Sequence, residues 1–197
     1  MVEKDKIAIL ILAAGSSSRL GYPKQLVEIN DKPLLQIMAE TAIAAVGDPV
    51  VVVLGAFFDA IKPSVIHLPV YVVDNKNWET GMGSSVVCGM EYLLKHHTDL
   101  TAVILMVCDQ YLLSLKNIKA LIKAFKRTNK KIVASKYGDA IGVPVLISNF
   151  FFPELLALNG KAGAKKIIQQ YMDDTAIVEF ADGIYDLDTE NDLKNLF

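Results

Sequence analysis

Apolar residues in this chain fall into short unbroken runs, separated by polar turns and by stretches with helical periodicity. Ile7 to Leu12 is the first run, and Val50 to Leu54 and Ala102 to Val107 repeat it. Runs this short, rich in β-branched residues and lacking polar alternation, mark strands buried on both faces. Val70 to Val73, Ile132 to Ala134, Val143 to Ile147 and Ile177 to Phe180 predict four further strands. Between them, Pro33 to about Val46 carries Leu34, Leu35, Met38, Ala42 and Ile43 as one apolar stripe. Proline suits the first turn of such a helix, and Gly47-Asp48-Pro49 stops it. Leu115 to Lys126 has the same periodicity through Ile118, Leu121, Ile122 and Phe125. Further helices are predicted for a short stretch ending near Ile61, from Gly81 to about His96, and over Asn149 to Leu158 and Ala162 to Tyr171. Thr189 caps a last helix, Glu190 to Leu196.

This alternation predicts one three-layer α/β/α domain over residues 1–197 with a mainly parallel sheet. The break in the pattern after Ala134 predicts an antiparallel excursion in the second half. Ligands of such sheets bind outside the carboxyl ends of the strands. The loops beginning at Ala13, Gly55, Asp74 and Asp109 therefore share one functional edge.

Composition narrows the class. Of 197 residues, 52% are hydrophobic and 21% charged, which fits a large core and excludes disorder. A net charge of −2 with scattered cations speaks against a nucleic-acid surface. Cys88 and Cys108 sit in apolar surroundings without metal-ligand spacing, as expected of core thiols in a reducing compartment. No segment is long enough to span a bilayer. The expectation is a cytoplasmic protein with no membrane contact.

The first strand runs into Ala13, Ala14, Gly15, Ser16, Ser17, Ser18 and Arg19, and then Gly21 and Lys24. Small residues let the backbone approach a ligand, consecutive N–H groups can face an anion, and Arg19 and Lys24 add full charge. The loop matches neither G-x-x-x-x-G-K-S/T nor G-x-G-x-x-G. It reads either as a triphosphate cradle or as an ordinary strand-to-helix loop with two surface cations.

Asp109 appears where a buried strand surfaces, which suits a ligand to Mg²⁺ opposite phosphates, or simply a turn cap. Asp186 and Asp188 flank Leu187 and would share one face of a strand, which makes Asp188 a second metal-ligand candidate. Gly81-Met82-Gly83-Ser84-Ser85 opens a helix, where free N–H groups bind anions and serines also act as plain caps. Trp78, the only tryptophan, lies in a polar loop; it either closes the core or lines a pocket for a planar ligand.

Together these blocks resemble the molybdenum cofactor cytidylyltransferases. The opening follows their L-A-A-G-x-S-x-R-x-G-x-P-K-Q-L signature. The likeness continues through Asn77-Trp78, Gly81 to Ser85, Asp109-Gln110, Gly142 to Leu146, Gly160 to Ala164 and Asp186 to Thr189. The wider family includes molybdopterin guanylyltransferases and sugar-phosphate nucleotidyltransferases. The resemblance implies a Rossmann-like nucleotidyltransferase fold and a Mg²⁺-dependent transfer of CMP from CTP to the phosphate of molybdopterin. It implies that Ala13 to Ser18, Arg19 and Lys24 hold the triphosphate, with Arg19, Lys24 and Asp109 catalytic. It further implies that Asp109 and Asp188 hold Mg²⁺, and that Leu12, Ala13, Ala14 and Ser85 line the base and ribose pocket. Gly81, Met82, Gly83 and Ser84 would meet the acceptor, beside Trp78. Ala14, where the guanylyl branch has glycine, takes room near the base and favours a pyrimidine.

Three positions depart from the family pattern: Tyr111 replaces a proline, Lys161 an acid and Lys165 an arginine. A lysine cannot make the forked contact of arginine, so the acceptor could be another phosphorylated molecule, such as a sugar or polyol phosphate. GTP is the alternative donor. A different class of function is a non-catalytic maturation factor that holds the cofactor and delivers it in transient contact with a client molybdoenzyme. Arg19, Lys24, Asp109 and Asp188 together favour catalysis, because a binder has less need of all four. Asp109→Ala is expected to abolish pyrophosphate release while leaving the circular dichroism spectrum largely intact. Persistent turnover in that variant would refute the metal assignment.

Overall fold

Strand β1 (Ile7–Leu12) is buried at every position, because neighbours pair with both its edges and helices cover both its faces. In the computed structural model, which describes residues 5–160 and 162–194, Ile7, Ile9 and Ile11 enter one apolar cluster. Ala8, Leu10 and Leu12 enter the other, on the opposite face of the sheet. A hairpin follows, with strands β2 (Glu28–Ile29) and β3 (Lys32–Pro33), and its turn residues Asn30 and Asp31 adopt left-handed backbone. Helix α1 (Leu34–Val46) leads to β4 (Val50–Leu54), and the short α2 (Phe58–Ile61) leads to β5 (Tyr71–Asp74). Helix α3 (Met82–His96) precedes β6 (Ala102–Val107), and α4 (Leu115–Arg127) precedes β7 (Ile132–Tyr137). The remaining elements are β8 (Ala140–Ser148), α5 (Phe152–Leu156), α6 (Ala164–Gln170), β9 (Thr175–Glu179) and α7 (Glu190–Lys194).

Seven strands form one sheet in the order β5-β4-β1-β6-β8-β7-β9. The antiparallel excursion is the single strand β8, which pairs antiparallel with β6 and β7; the other pairings are parallel. The β7–β8 register shifts after Ala134, leaving Val143 and Pro144 unmatched. A proline has no N–H for a ladder, and the Pro144 carbonyl there accepts the Ser135 hydroxyl at 2.7 Å. Helices α1 and α4 cover one face, and α3, α5 and α6 the other. The fold is the three-layer α/β/α sheet expected, of the nucleotidyltransferase type.

Several boundaries moved. Strand β9 begins at Thr175, which pairs with Ile132, and β7 extends to Tyr137, which pairs with Ala140 of β8. The helix expected over Asn149 to Leu158 divides into a 3-10 turn, Asn149–Phe151, and α5, which starts just before Pro153. Asp186 and Asp188 do not lie on a strand: residues 185–188 join no sheet. Their alternation survives because Leu187 is buried in the core and its N–H donates to the Asp109 carbonyl at 3.0 Å. Asn195 and Leu196 of the predicted last helix, and Lys161, lie outside the described residues. Among those described, no helix is long and apolar enough to cross a membrane.

Helix α3 lies close on the sheet at Gly89, where a Cβ would come within 2.2 Å of Leu10 Cδ1 and 2.9 Å of Val53 Cγ2. Both neighbours are fully buried and have little room to yield. Gly89→Val is expected to destabilise the fold by about 2 kcal/mol through overpacking, read as a lower midpoint of urea unfolding.

Candidate active site

The parallel strands β1, β4, β5 and β6 end on one edge, and the loops leaving them converge there. The loop after β1 is held by a buried glutamine. Gln25 Nε2 donates to the carbonyls of Ala13 at 2.7 Å and Gly15 at 3.1 Å, while its Oε1 accepts the Ser17 hydroxyl at 3.5 Å. Ser17 has left-handed backbone, φ 51°, and its Oγ accepts the Lys24 N–H at 3.0 Å. The loop is thus folded back on itself by side chains. Among the described main-chain hydrogen bonds, none is donated by Gly15 through Arg19. Amides left free in this way form an anion-binding surface.

Lys24 gathers the charge. Its side chain is only 14% exposed, and Nζ donates to Asp109 Oδ2 at 2.9 Å and Asp188 Oδ1 at 2.6 Å. Arg19 Nη2 reaches the other oxygen of Asp188 at 2.7 Å. Desolvation alone would lower the Lys24 pKa, but the charges and hydrogen bonds of the two carboxylates outweigh it and hold the ammonium above its ordinary value. Desolvation would likewise raise Asp188; Lys24 and Arg19 reverse the sign and keep it below the carboxylate norm. Asp186, although exposed, is pushed up to about 6 by desolvation and then by the charges of Asp109 and Asp188. Burial also drives the Cys108 thiol upward, so it has no thiolate to offer.

A cleft of about 320 Å³ opens beside this cluster. Leu12, Ala13, Ala14, Gly15, Ser16, Lys24 and Asp109 line one side, and Trp78, Gly81, Met82 and Ser85 the other. Most of the residues expected at the nucleotide and several expected at the acceptor therefore share one cleft. Ser17, Ser18, Arg19, Gly83, Ser84 and Asp188 do not line it. Ser17 braces the loop, and Arg19 and Asp188 join through the ion-pair chain. Ser84 Oγ is spent on main-chain carbonyls of Gly81 and Asn77. Gly83 packs on the backbone of Asn159, Gly160 and Ala162: its N–H donates to the Gly160 carbonyl at 3.0 Å, and a Cβ would meet Ala162 O at 2.8 Å. That contact joins the two blocks singled out for acceptor recognition, with Lys165 exposed at the start of α6.

Trp78 closes the rim against Gly55, where a Cβ would lie 2.6 Å from the Trp78 Cβ and 3.0 Å from the Ala14 Cβ. Two residues of the site were missed by sequence reasoning alone. Gln25 was visible only as the Q of the opening signature. Asn75, buried at the end of β5, donates to both Ser84 Oγ and Ser85 Oγ. A polar residue between a strand end and the only tryptophan was the available signal.

Asp109 and Asp188 present oxygens that converge on one point, now the Lys24 ammonium, and hard oxygen donors of this kind suit Mg²⁺. Among the described residues, no group of three or more His, Cys, Asp or Glu is arranged to hold a metal. Two protein carboxylates completed by phosphate and water oxygens is the coordination Mg²⁺ commonly takes.

Known proteins resemble this chain in sequence and fold. Nicotine blue oxidoreductase from Paenarthrobacter nicotinovorans is 29% identical over 169 residues, covering 82% of this chain and 80% of that one. The crystal structure of Rv0371c from Mycobacterium tuberculosis H37Rv superposes with a TM-score of 0.82 at 26% identity, covering 98% of this chain and 97% of the other. The same mycobacterial protein in complex with manganese gives a TM-score of 0.75 at 24% identity, over 97% of each chain. The family described as MobA-like NTP transferase domain matches residues 9–175. With that match spanning most of its length, this chain belongs to the MobA-like NTP transferase family and is a nucleotidyltransferase of that family.

Proposed function

We propose that this protein transfers CMP from CTP to the phosphate of a molybdopterin acceptor, with Mg²⁺, and releases pyrophosphate. The observation that carries this reading is one cleft walled by the β1 loop, Trp78 and Ser85, with the Lys24–Asp109–Asp188 cluster at its edge. The named relative from Paenarthrobacter is an oxidoreductase, but an ionised lysine between two carboxylates serves phosphoryl chemistry and has no evident role in hydride transfer.

In the proposed reaction, an oxygen of the acceptor phosphate forms a bond to the α-phosphorus of CTP. The bond between that phosphorus and the bridging oxygen breaks, and pyrophosphate leaves with the electron pair. Such transfer needs positioning and charge neutralisation more than covalent help from the protein. The free amides of the β1 loop and Arg19 hold the triphosphate, and Lys24 faces the charge that develops at the transferred group. Asp109 and Asp188 would hold Mg²⁺, which supplies neutralisation of phosphate charge when bound; the manganese complex of the mycobacterial relative supports a divalent ion. Three carboxylates, Asp109, Asp186 and Asp188, already crowd the two cations here, so a triphosphate requires further positive charge.

Ala14 and Trp78 both line the cleft, and the methyl of Ala14 takes room there, which supports a pyrimidine over a purine. A second acceptor reading, a sugar or polyol phosphate, is favoured by the exposed Lys165, two residues beyond Gly163, which lies against Met82, since an added ammonium suits a more anionic acceptor.

Pyrophosphate release, measured with Mg²⁺, each of four nucleoside triphosphates and each acceptor, tests the proposal. CTP with molybdopterin is expected to react; release with GTP alone would overturn the base assignment, and no release with any pair would overturn catalysis. Lys24→Ala is expected to lower the rate by roughly two to three orders of magnitude, the usual scale for losing one charge-stabilising donor.

A further inference from the structure

Asn75 is 3% exposed, and every polar atom of its amide is engaged. Oδ1 accepts the main-chain N–H of Asn77 at 3.0 Å. Nδ2 donates to Ser84 Oγ at 2.8 Å and to Ser85 Oγ at 3.0 Å. The Asn75 N–H donates to the Leu54 carbonyl at 2.8 Å, which ties the residue to the end of β4. A main-chain N–H can only donate, so the oxygen of the amide must face Asn77 and the nitrogen must face the two hydroxyls.

That orientation decides what the serines can do. A hydroxyl has a single proton. The proton of Ser84 is directed at the main-chain carbonyls of Gly81 at 2.8 Å and Asn77 at 3.0 Å. Ser85 has no such acceptor among the described residues, its oxygen already receives the Asn75 N–H, and it lines the cleft. A serine free to rotate could either donate to a ligand or accept from it. With one lone pair taken by Asn75 and no protein acceptor for its proton among the described residues, Ser85 completes its hydrogen bonding best against a ligand acceptor.

We infer that Asn75 is a positioning residue that fixes Ser85 as a hydrogen-bond donor to an oxygen of the bound nucleoside, either a pyrimidine carbonyl or a ribose hydroxyl. This rests on the nucleotide-binding reading above and adds to it a determinant that never touches the ligand. It biases the cleft by polarity: a ligand edge presenting an N–H at that point leaves the Ser85 proton unpaired and is disfavoured against one presenting an oxygen.

Asn75→Asp preserves shape and reverses polarity. The new oxygen would draw the Ser85 proton away from the cleft. Binding is measured by calorimetry with Mg²⁺ and no acceptor, using CTP and inorganic tripolyphosphate as probes. N75D is expected to weaken CTP binding roughly tenfold more than tripolyphosphate binding, whose own loss reports the added negative charge, tenfold being the scale of one hydrogen bond turned unfavourable. Ser85→Ala is expected to give the same loss, and the double variant no more than either single. Repeating the series with 2′-deoxy-CTP assigns the oxygen: a Ser85→Ala loss that persists points to the base, and one that vanishes points to the ribose. Equal weakening of both probes, or fully additive losses, would overturn the inference while leaving the nucleotide reading standing. Should N75D fail to fold, unchanged CTP binding by folded S85A overturns the inference by itself. A wild-type protein that binds no nucleoside triphosphate would overturn both.

Discussion

Lys24 carries a charge into a site with little water, and the edge of the sheet is organised around keeping it there. An ammonium at that depth loses hydration that only close carboxylates can replace. Asp109 comes from the end of β6 and Asp188 from the segment after β9, and Arg19 completes the chain of charges from the β1 loop. The backbone serves the same end: the Asp109 carbonyl accepts the N–H of Leu187, and Gln110 Nε2 donates to the Gly183 carbonyl at 3.2 Å. Leu187 supplies apolar anchorage and leaves Asp186 and Asp188 on the outer side. The three segments are held by burial as much as by charge.

The sheet makes this convergence possible at little cost. Parallel strands buried on both faces end at a common level, so residues far apart in sequence emerge side by side. Helix α3 adds the opposite wall, and its close seat at Gly89 sets how near Ser85 lies to the β1 loop. The packing of the interior and the width of the cleft are thus one geometric problem.

Much of this was readable in the chain because burial on two faces leaves a simple mark. The runs Ile7 to Leu12, Val50 to Leu54 and Ala102 to Val107 match β1, β4 and β6 end to end. Edges were less legible. Strand β9 alternates exposed and part-buried positions, and its first residues, Thr175 and Ala176, lack the apolar signal of a central strand. The Asp186-Leu187-Asp188 alternation mimics a strand because a single buried leucine between two acids has the same period, whether or not a ladder exists. The charged candidates were visible as residue types in a motif, but their pairing was not. Nothing local to Gln25 or Asn75 announces that each braces a loop, because their partners are defined only once strands from different parts of the chain lie together.

The distance along the chain between Lys24 and its second carboxylate has a temporal meaning. The 164 residues separating Lys24 from Asp188 include most of the sheet, so the pair cannot close until β6, β7, β8 and β9 have found their order. Contacts of such separation form late, after the loop-closure entropy of the intervening chain has been met. During synthesis the β1 loop emerges early, with its lysine still hydrated and its cradle unbraced. The site is therefore among the last parts of the molecule to exist, and it comes into being only in chains whose sheet is already correctly assembled. An edge built this way depends on the order of the whole sheet: the cleft and its ion-pair cluster exist only where these distant segments meet.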